Sequence, residues 1–308
     1  MGSVTNLNTP EDENVLAVCS DETCPSIEDE PNIYDPYPQE KMDEDVDHVV
    51  RILDGMGELL SDDRSGELTG NEKYALSCLK LYGYSGNESL KDDMKKAGEA
   101  AYKSIIEILK KIKAFFTGEG RAALEAGEES AKNGLEILAK SDKAKPVAEN
   151  SKYVNVEAIK KKLLVKGISE VLTTDKNLQT LHSGILSNIE RLKNAKTVAN
   201  VGAVYQLVVN DAAKLGDAIQ RKGRDVVAAA ERKANEIRNV KDVTDTSDNE
   251  AKQGAKGEQK AGIDGAKADT AVARGYAVLQ RAITGLFGTI SANSTALAGA
   301  KVDSNFKG

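Results

Sequence analysis

Residues 94–118, MKKAGEAAYKSIIEILKKIKAFFTG from Met94 to Gly118, form the most strongly patterned stretch of the chain. At about 100° per residue, Ala101, Tyr102, Ile105, Leu109, Ile112 and Phe116 fall on one stripe. Ile106, Ile108 and Phe115 lie at its edges, and Lys96, Lys103 and Lys110 lie opposite. The pattern is that of a basic amphipathic helix. A protein core, a partner helix and an anionic lipid surface all suit such a helix. Its apolar arc covers about 180°, wider than the face a bundle member needs, which leaves room for a partner or a membrane. Tyr102, Ile105, Leu109, Ile112, Phe115 and Phe116, with Lys103 and Lys110, are therefore the candidate residues of a partner or lipid interface.

Helical spacing continues on both sides of this stretch. Upstream, Val46, Val49, Val50, Leu53, Met56, Leu59 and Leu60 recur every three to four residues, predicting a helix that ends near SDDRSG. Thr69 or Asn71 is placed to cap a short second helix through Tyr74, Leu76, Leu79 and Leu81. Residues 46–118 thus read as a small three-helix unit, with the basic helix closing on two short partners. Downstream, TGEG is a hinge, and the alanine-rich segment after it is expected to fold back as a hairpin until Pro146 ends it.

Ile159, Leu163, Leu164, Ile168, Val171 and Leu172 share one broad face, and Leu178, Leu181, Ile185, Ile189 and Leu192 form a tighter stripe after a break at TTDKN with an Asp cap. From Ala195 to Val240 the pattern is unbroken, long enough for a bundle arm or coiled coil. KDVTDTSDNEAKQGAKGEQKAGIDGAKADT is polar, Gly-rich and repetitive, and reads as a linker or a marginal helix. Apolar spacing returns from Ala271, where Gly285 and Gly288 weaken it by about 1 kcal/mol each. The expected organisation is an acidic disordered leader (1–45), a small helical unit (46–118), a helical bundle or arm (119–245), an Ala/Gly/Lys-rich linker (246–270) and a C-terminal helical segment (271–308). The fold class is all-α, with the body an elongated bundle or coiled-coil-like arms.

Composition agrees with this reading. Of 308 residues, 30% are charged and only 4% aromatic, with no tryptophan; that mixture favours long helices over sheets. Five of the six prolines fall within residues 1–47, where acidic side chains leave too little apolar surface to offset ordering entropy. Residues 1–90 carry 21 acidic and 5 basic residues, net −16, while the remainder carries 37 basic and 28 acidic, net +9. An acidic leader on a basic body repels nucleic acid, covers a basic surface, or keeps the N-terminus soluble. The start of the chain has no basic segment followed by an apolar run, so no signal peptide is expected. Ala282–Ala300 contains too many Gly, Asn, Ser and Thr residues for a membrane span.

No Walker loop, GxSxG, HExxH or EF-hand pattern is present, and no nucleophile, base and orienter can be named, so the chain reads as non-enzymatic. Cys19, Cys24 and Cys78 make neither a disulfide framework nor a four-ligand metal set, and His48 and His182 have no catalytic partner in the sequence. No cofactor is expected. Arg221, Lys222, Arg224, Arg232, Lys233, Arg238 and Lys241 cluster without interleaved aromatics, which licenses nonspecific phosphate contact with DNA at most; a solvated helix face explains them equally well.

The acidic helical segment VDHVVRILDGMGELL followed by ESLKDDMKKAGEAAYKSIIEILKKIKAFFTG resembles the N-terminal part of internal head proteins of large tailed bacteriophages. The likeness covers residues 43–120 and is carried by composition and order. It implies a structural protein of the prohead core or inner body, found in the virion interior after assembly in the host cytoplasm, whose partners are other virion proteins or further copies of itself. It also implies trimming by a maturation protease that cuts after glutamate when a small or aliphatic residue stands two positions before. Ser65-Gly66-Glu67, Ala97-Gly98-Glu99 and Ala123-Leu124-Glu125 match, making Glu67, Glu99 and Glu125 the candidate processing sites. The competing expectation is a helical surface or secreted protein that binds anionic membranes through residues 94–118.

Overall fold

The computed structural model describes residues 37–60, 67–84, 94–149, 151–239 and 249–299. Helices dominate them: α1 (Gln39–Leu59), α2 (Gly70–Leu81), α3 (Met94–Thr117), α4 (Glu119–Ala139), α5 (Val156–Lys161), α6 (Ser169–Thr174), α7 (Lys176–Glu190), α8 (Val198–Arg238) and α9 (Asn249–Leu297). The class is all-α, as expected. Among the described residues the extended pairing is an isolated antiparallel bridge between Pro146 and Thr197.

Local chemistry explains several of these boundaries. Thr69 and Glu72 form a reciprocal capping box: the Glu72 N–H donates to the Thr69 hydroxyl (3.1 Å), and the Thr69 N–H donates to the Glu72 carboxylate (2.7 Å). Asp175 accepts from the N–H groups of Asn177 and Leu178 and starts α7; Thr197 accepts from Asn200 N–H and starts α8. Gly167 adopts a positive φ of 91°, a conformation that glycine reaches without steric penalty. The chain turns there, so the face expected to run from Ile159 to Leu172 is divided between α5 and α6, and Leu164 is left 57% exposed.

Three long rods make the framework. Phe116 abuts Gly223, Leu124 abuts Gly216 and Leu138 abuts Gly202, so α3 and then α4 run antiparallel to α8, one after the other. The α3–α4 pair is therefore an interrupted rod and not a hairpin; one residue, Gly118, makes the break instead of a TGEG hinge. α9 runs antiparallel to α8, with Gly262 beside Ile237, Gly265 beside Lys233 and the Asn293 amide donating to the Tyr205 hydroxyl. It runs parallel to α4, with Gly127 against Thr284 and Phe287 and Gly134 against Ser291. The Tyr205 hydroxyl in turn donates to the Tyr153 carbonyl at 2.6 Å.

Smaller helices close two sides of this framework. α1 packs on α9 and α3 with α2 against its other face, while α7 packs on α8 and α6 reaches α9 through Val171 at Gly275. A single apolar cluster extends from Met42 on α1 to Leu297 on α9.

These contacts correct three expected boundaries. Gln39–Asp45 belong to α1 and not to the leader, because Met42 is fully buried and Tyr37 and Gln39 are bonded by Arg281; the leader before residue 37 lies outside the described residues. Residues 249–270, expected as a linker, are the first half of α9. Their small side chains permit close approach: Gly262 sits over Ile237 and the Lys233 carbonyl, Gly265 sits over the Lys233 side chain, and Ile263 and Ala266 are buried. That packing offsets the intrinsic helix cost of glycine. Residues 46–118 form no separate unit, because the broad apolar arc of α3 lies mainly on α8, in the same core as the C-terminal helices.

Candidate interface around the basic helix

Ile105, Leu109, Ile112 and Phe116 are each 0% exposed, and Phe115 is nearly so. Burying each of these side chains contributes about 1.5–3 kcal/mol. Phe115 and Phe116 meet edge to face with centroids 5.4 Å apart, and the Arg281 guanidinium covers Phe115 at 4.3 Å. Half-buried Tyr102 lies under Arg238 at 4.6 Å. The residues assigned to a lipid or partner interface are thus interior ones. That expectation is corrected: the arc too wide for two short helices is closed by α8 together with α1, α4 and α9. Lys103 and Lys110 remain exposed. Lys113 pairs with Glu231 of α8 at 3.0 Å, and Lys111 reaches Asp45 of α1 at 3.2 Å.

The Lys111–Asp45 contact belongs to a larger arrangement. α1 carries seven acidic and two basic side chains, and its apolar stripe of Met42, Val46, Val49, Leu53 and Met56 is buried. Along the rim, Arg274 lies between Asp47 (3.2 Å) and Asp43 (3.8 Å), and Lys267 pairs with Asp54. Arg281 donates to the Gln39 side chain at 2.7 Å and to the Tyr37 carbonyl. Asp45 accepts from the Tyr37 hydroxyl at 2.9 Å. Burial pushes the Asp45 carboxyl up, but the Tyr37 bond and the Lys111 and Lys41 charges outweigh it and hold the group below its ordinary range. Burial, reinforced by the same carboxylate, pushes the Tyr37 phenol upward. An acidic helix is thereby fixed on basic positions of α3 and α9. Exposed pairs at its rim contribute roughly 0–1 kcal/mol each, so the apolar stripe carries most of the attachment.

The three candidate processing sites differ in setting. Glu67 is exposed and immediately follows residues 61–66, which lie outside the described residues. Glu99 lies within α3 directly after buried Ala97 and Gly98. Glu125 lies within α4, follows buried Leu124 and pairs with Arg121 at 2.7 Å. Of the α8 basic cluster, Lys222 pairs with Asp175, Lys233 with Glu236, and Arg238 covers Tyr102. Arg221, Arg224 and Arg232 are exposed, and Lys241 lies outside the described residues.

One polar cluster has no counterpart in the sequence reading. His48 Nδ1 and the Tyr74 hydroxyl lie 2.5 Å apart between α1 and α2. Arg51 covers the Tyr74 ring at 4.0 Å, and Cys78 is buried one turn further along α2. Burial lowers the His48 pKa and raises those of Tyr74 and Cys78. All three shifts favour the uncharged forms: imidazole, phenol and thiol. A thiol held protonated is a poor nucleophile, so the cluster is suited to packing and not to covalent catalysis. Its members stand 26 residues apart on two helices, and only their packing joins them.

His182 is buried on α7 with Nε2 3.2 Å from the Leu163 carbonyl; desolvation lowers its pKa. Among the described residues no group of three or more His, Cys, Asp or Glu side chains is placed to hold a metal ion, and no helix is long and apolar enough to cross a membrane. Cys19 and Cys24 lie outside the described residues. No known protein family, curated protein or solved structure matches the chain.

Proposed function

We propose that this chain is a non-enzymatic structural component of a bacteriophage head interior, acting beside other virion proteins or further copies of itself. The observation that carries the reading is the acidic α1 seated on the basic positions Lys111, Lys267, Arg274 and Arg281. A protein stored near packaged DNA benefits from such a cover, because it reduces the positive surface offered to phosphates during assembly. The order of the segments, acidic helix before basic helix within residues 43–120, is the order shared with internal head proteins.

Glu67 is the processing point this reading favours, since a protease binds its substrate extended and Glu99 and Glu125 are held in packed helices. Arg221, Arg224 and Arg232 then supply nonspecific contact with DNA from the outer face of α8. Mass spectrometry of purified particles tests the proposal. The chain is expected inside the head, protected from added protease until heads are opened, with a new terminus at Leu68. Absence from particles overturns the structural role, and an intact junction after Glu67 in mature heads overturns the processing.

A further inference from the structure

Two buried glutamines lie level with the interruption between α3 and α4. Gln280 is 1% exposed and Gln220 is 8% exposed. Neither amide group of Gln280, nor the Nε2 of Gln220, has a hydrogen-bond partner within the protein. Their positions follow from the helix register. On α8, Phe116 abuts Gly223 and Leu124 abuts Gly216, so Gln220 lies between them, opposite Gly118–Gly120. On α9, Phe287 touches α4 at Gly127; one heptad earlier on both parallel helices are Gln280 and Gly120. Both amides therefore flank the same break, one from each facing rod.

The break is where the backbone needs partners. Gly118 N–H donates to the Ala114 carbonyl at 2.8 Å and closes α3, and Ala122 N–H donates to the Gly118 carbonyl at 2.9 Å and opens α4. The first N–H groups of α4 and the last carbonyls of α3 are those that helix geometry leaves without an intrahelical partner. In a buried setting each such group left unsatisfied is costly, as is each buried amide. A glutamine amide offers two donors and an acceptor on three rotatable bonds, which complements both kinds of orphan group directly or through one bridging water. Aliphatic side chains at 220 and 280 would pack as well against an uninterrupted helix.

We infer that Gln220 and Gln280 form a polar joint that holds the α3–α4 rod broken at Gly118. The joint confines local opening of the rod to residues 115–122 and fixes how α4 follows α3 along α8.

Hydrogen exchange on the full chain tests this with Gln220→Met/Gln280→Met and, as a milder change at the bundle rim, Gln220→Met alone. The expected result is exchange at least tenfold faster in peptides spanning residues 115–122, with peptides from α7 and the far ends of α8 and α9 unchanged and a urea midpoint equal to or above that of the parent. Unchanged exchange at 115–122 in both variants overturns the joint. Faster exchange throughout the chain with a lowered midpoint in both also overturns it, since the glutamines would then be general stabilisers.

Discussion

Glycine 223 has no side chain where Phe116, itself 0% exposed, needs the space. A methyl group there would overlap three carbons of the Phe116 ring. Gly→Ala inside a helix ordinarily stabilises by about 1 kcal/mol, because alanine restricts the unfolded chain and favours helix. At Gly254 in α9, where nothing lies within 4 Å of the added carbon, that gain should appear in full. At Gly223 it is opposed by overpacking, which costs about 1–3 kcal/mol when a well-packed ring must leave its rotamer or push two rods apart.

Gly223→Ala should therefore lose about 1–2 kcal/mol relative to the parent while Gly254→Ala gains about 1 kcal/mol. Urea denaturation followed by circular dichroism reads both as shifts in midpoint at constant slope. Phe116→Leu in the Gly223→Ala background should recover part of the loss, which a double-mutant cycle registers as a favourable coupling. If Gly223→Ala raises the midpoint as much as Gly254→Ala does, the close approach of α3 to α8 is not what the structure places there, and the argument for one shared core fails with it.

Ile105→Asp or Leu109→Asp buries an unpaired carboxylate in the centre of the bundle and should unfold α3, α8 and α9 together; a helical signal that stays at the parent level would return that face to the surface. The folded parent should not float with anionic vesicles, and salt-sensitive flotation would show the same face to be available. Asp45→Asn should cost about 1–2 kcal/mol near neutral pH by weakening the bonds to Tyr37 and Lys111. Because the folded pKa of Asp45 is depressed, this contribution is present above the unfolded-state value and disappears as pH falls through the lower folded value. Parent and variant midpoints should converge in strong acid, and a pH-independent gap would contradict the assignment. His182 titrates in the same sense by another cause: kept neutral by burial, it must take a proton when the chain unfolds below its ordinary pKa. Acidification from pH 7 to 5 should lower the midpoint of the parent more than that of His182→Leu, and equal losses would place the acid sensitivity elsewhere. A single nick after Glu67 should leave the fragment bearing α1 bound to the body, as the two pieces are joined by a buried apolar stripe; co-elution on gel filtration checks this, and separation under native conditions would show α1 to be only loosely attached.

The helical class, the extent of α3 and α8, the Thr69 and Asp175 caps and the break before α7 were all legible in local spacing, since periodicity and capping depend on residues within a turn of one another. Local reading also identified the α3 stripe but not its destination. A basic amphipathic face looks the same whether it meets lipid or protein, and only α8, about a hundred residues away, decides between them. The glycine-rich first half of α9 was misread for the complementary reason. Its intrinsic helix propensity is low, and what orders it is the close approach its small residues allow to Ile237 and Lys233. His48 with Tyr74, and Gln220 with Gln280, acquire meaning only from the register of the helices that carry them. Periodicity within one segment determined the parts of this protein, while the partner of each face, the charge cover of α1 and the level of the Gly118 break were decided by packing between segments far apart in the chain, where burial energy outweighs local propensity.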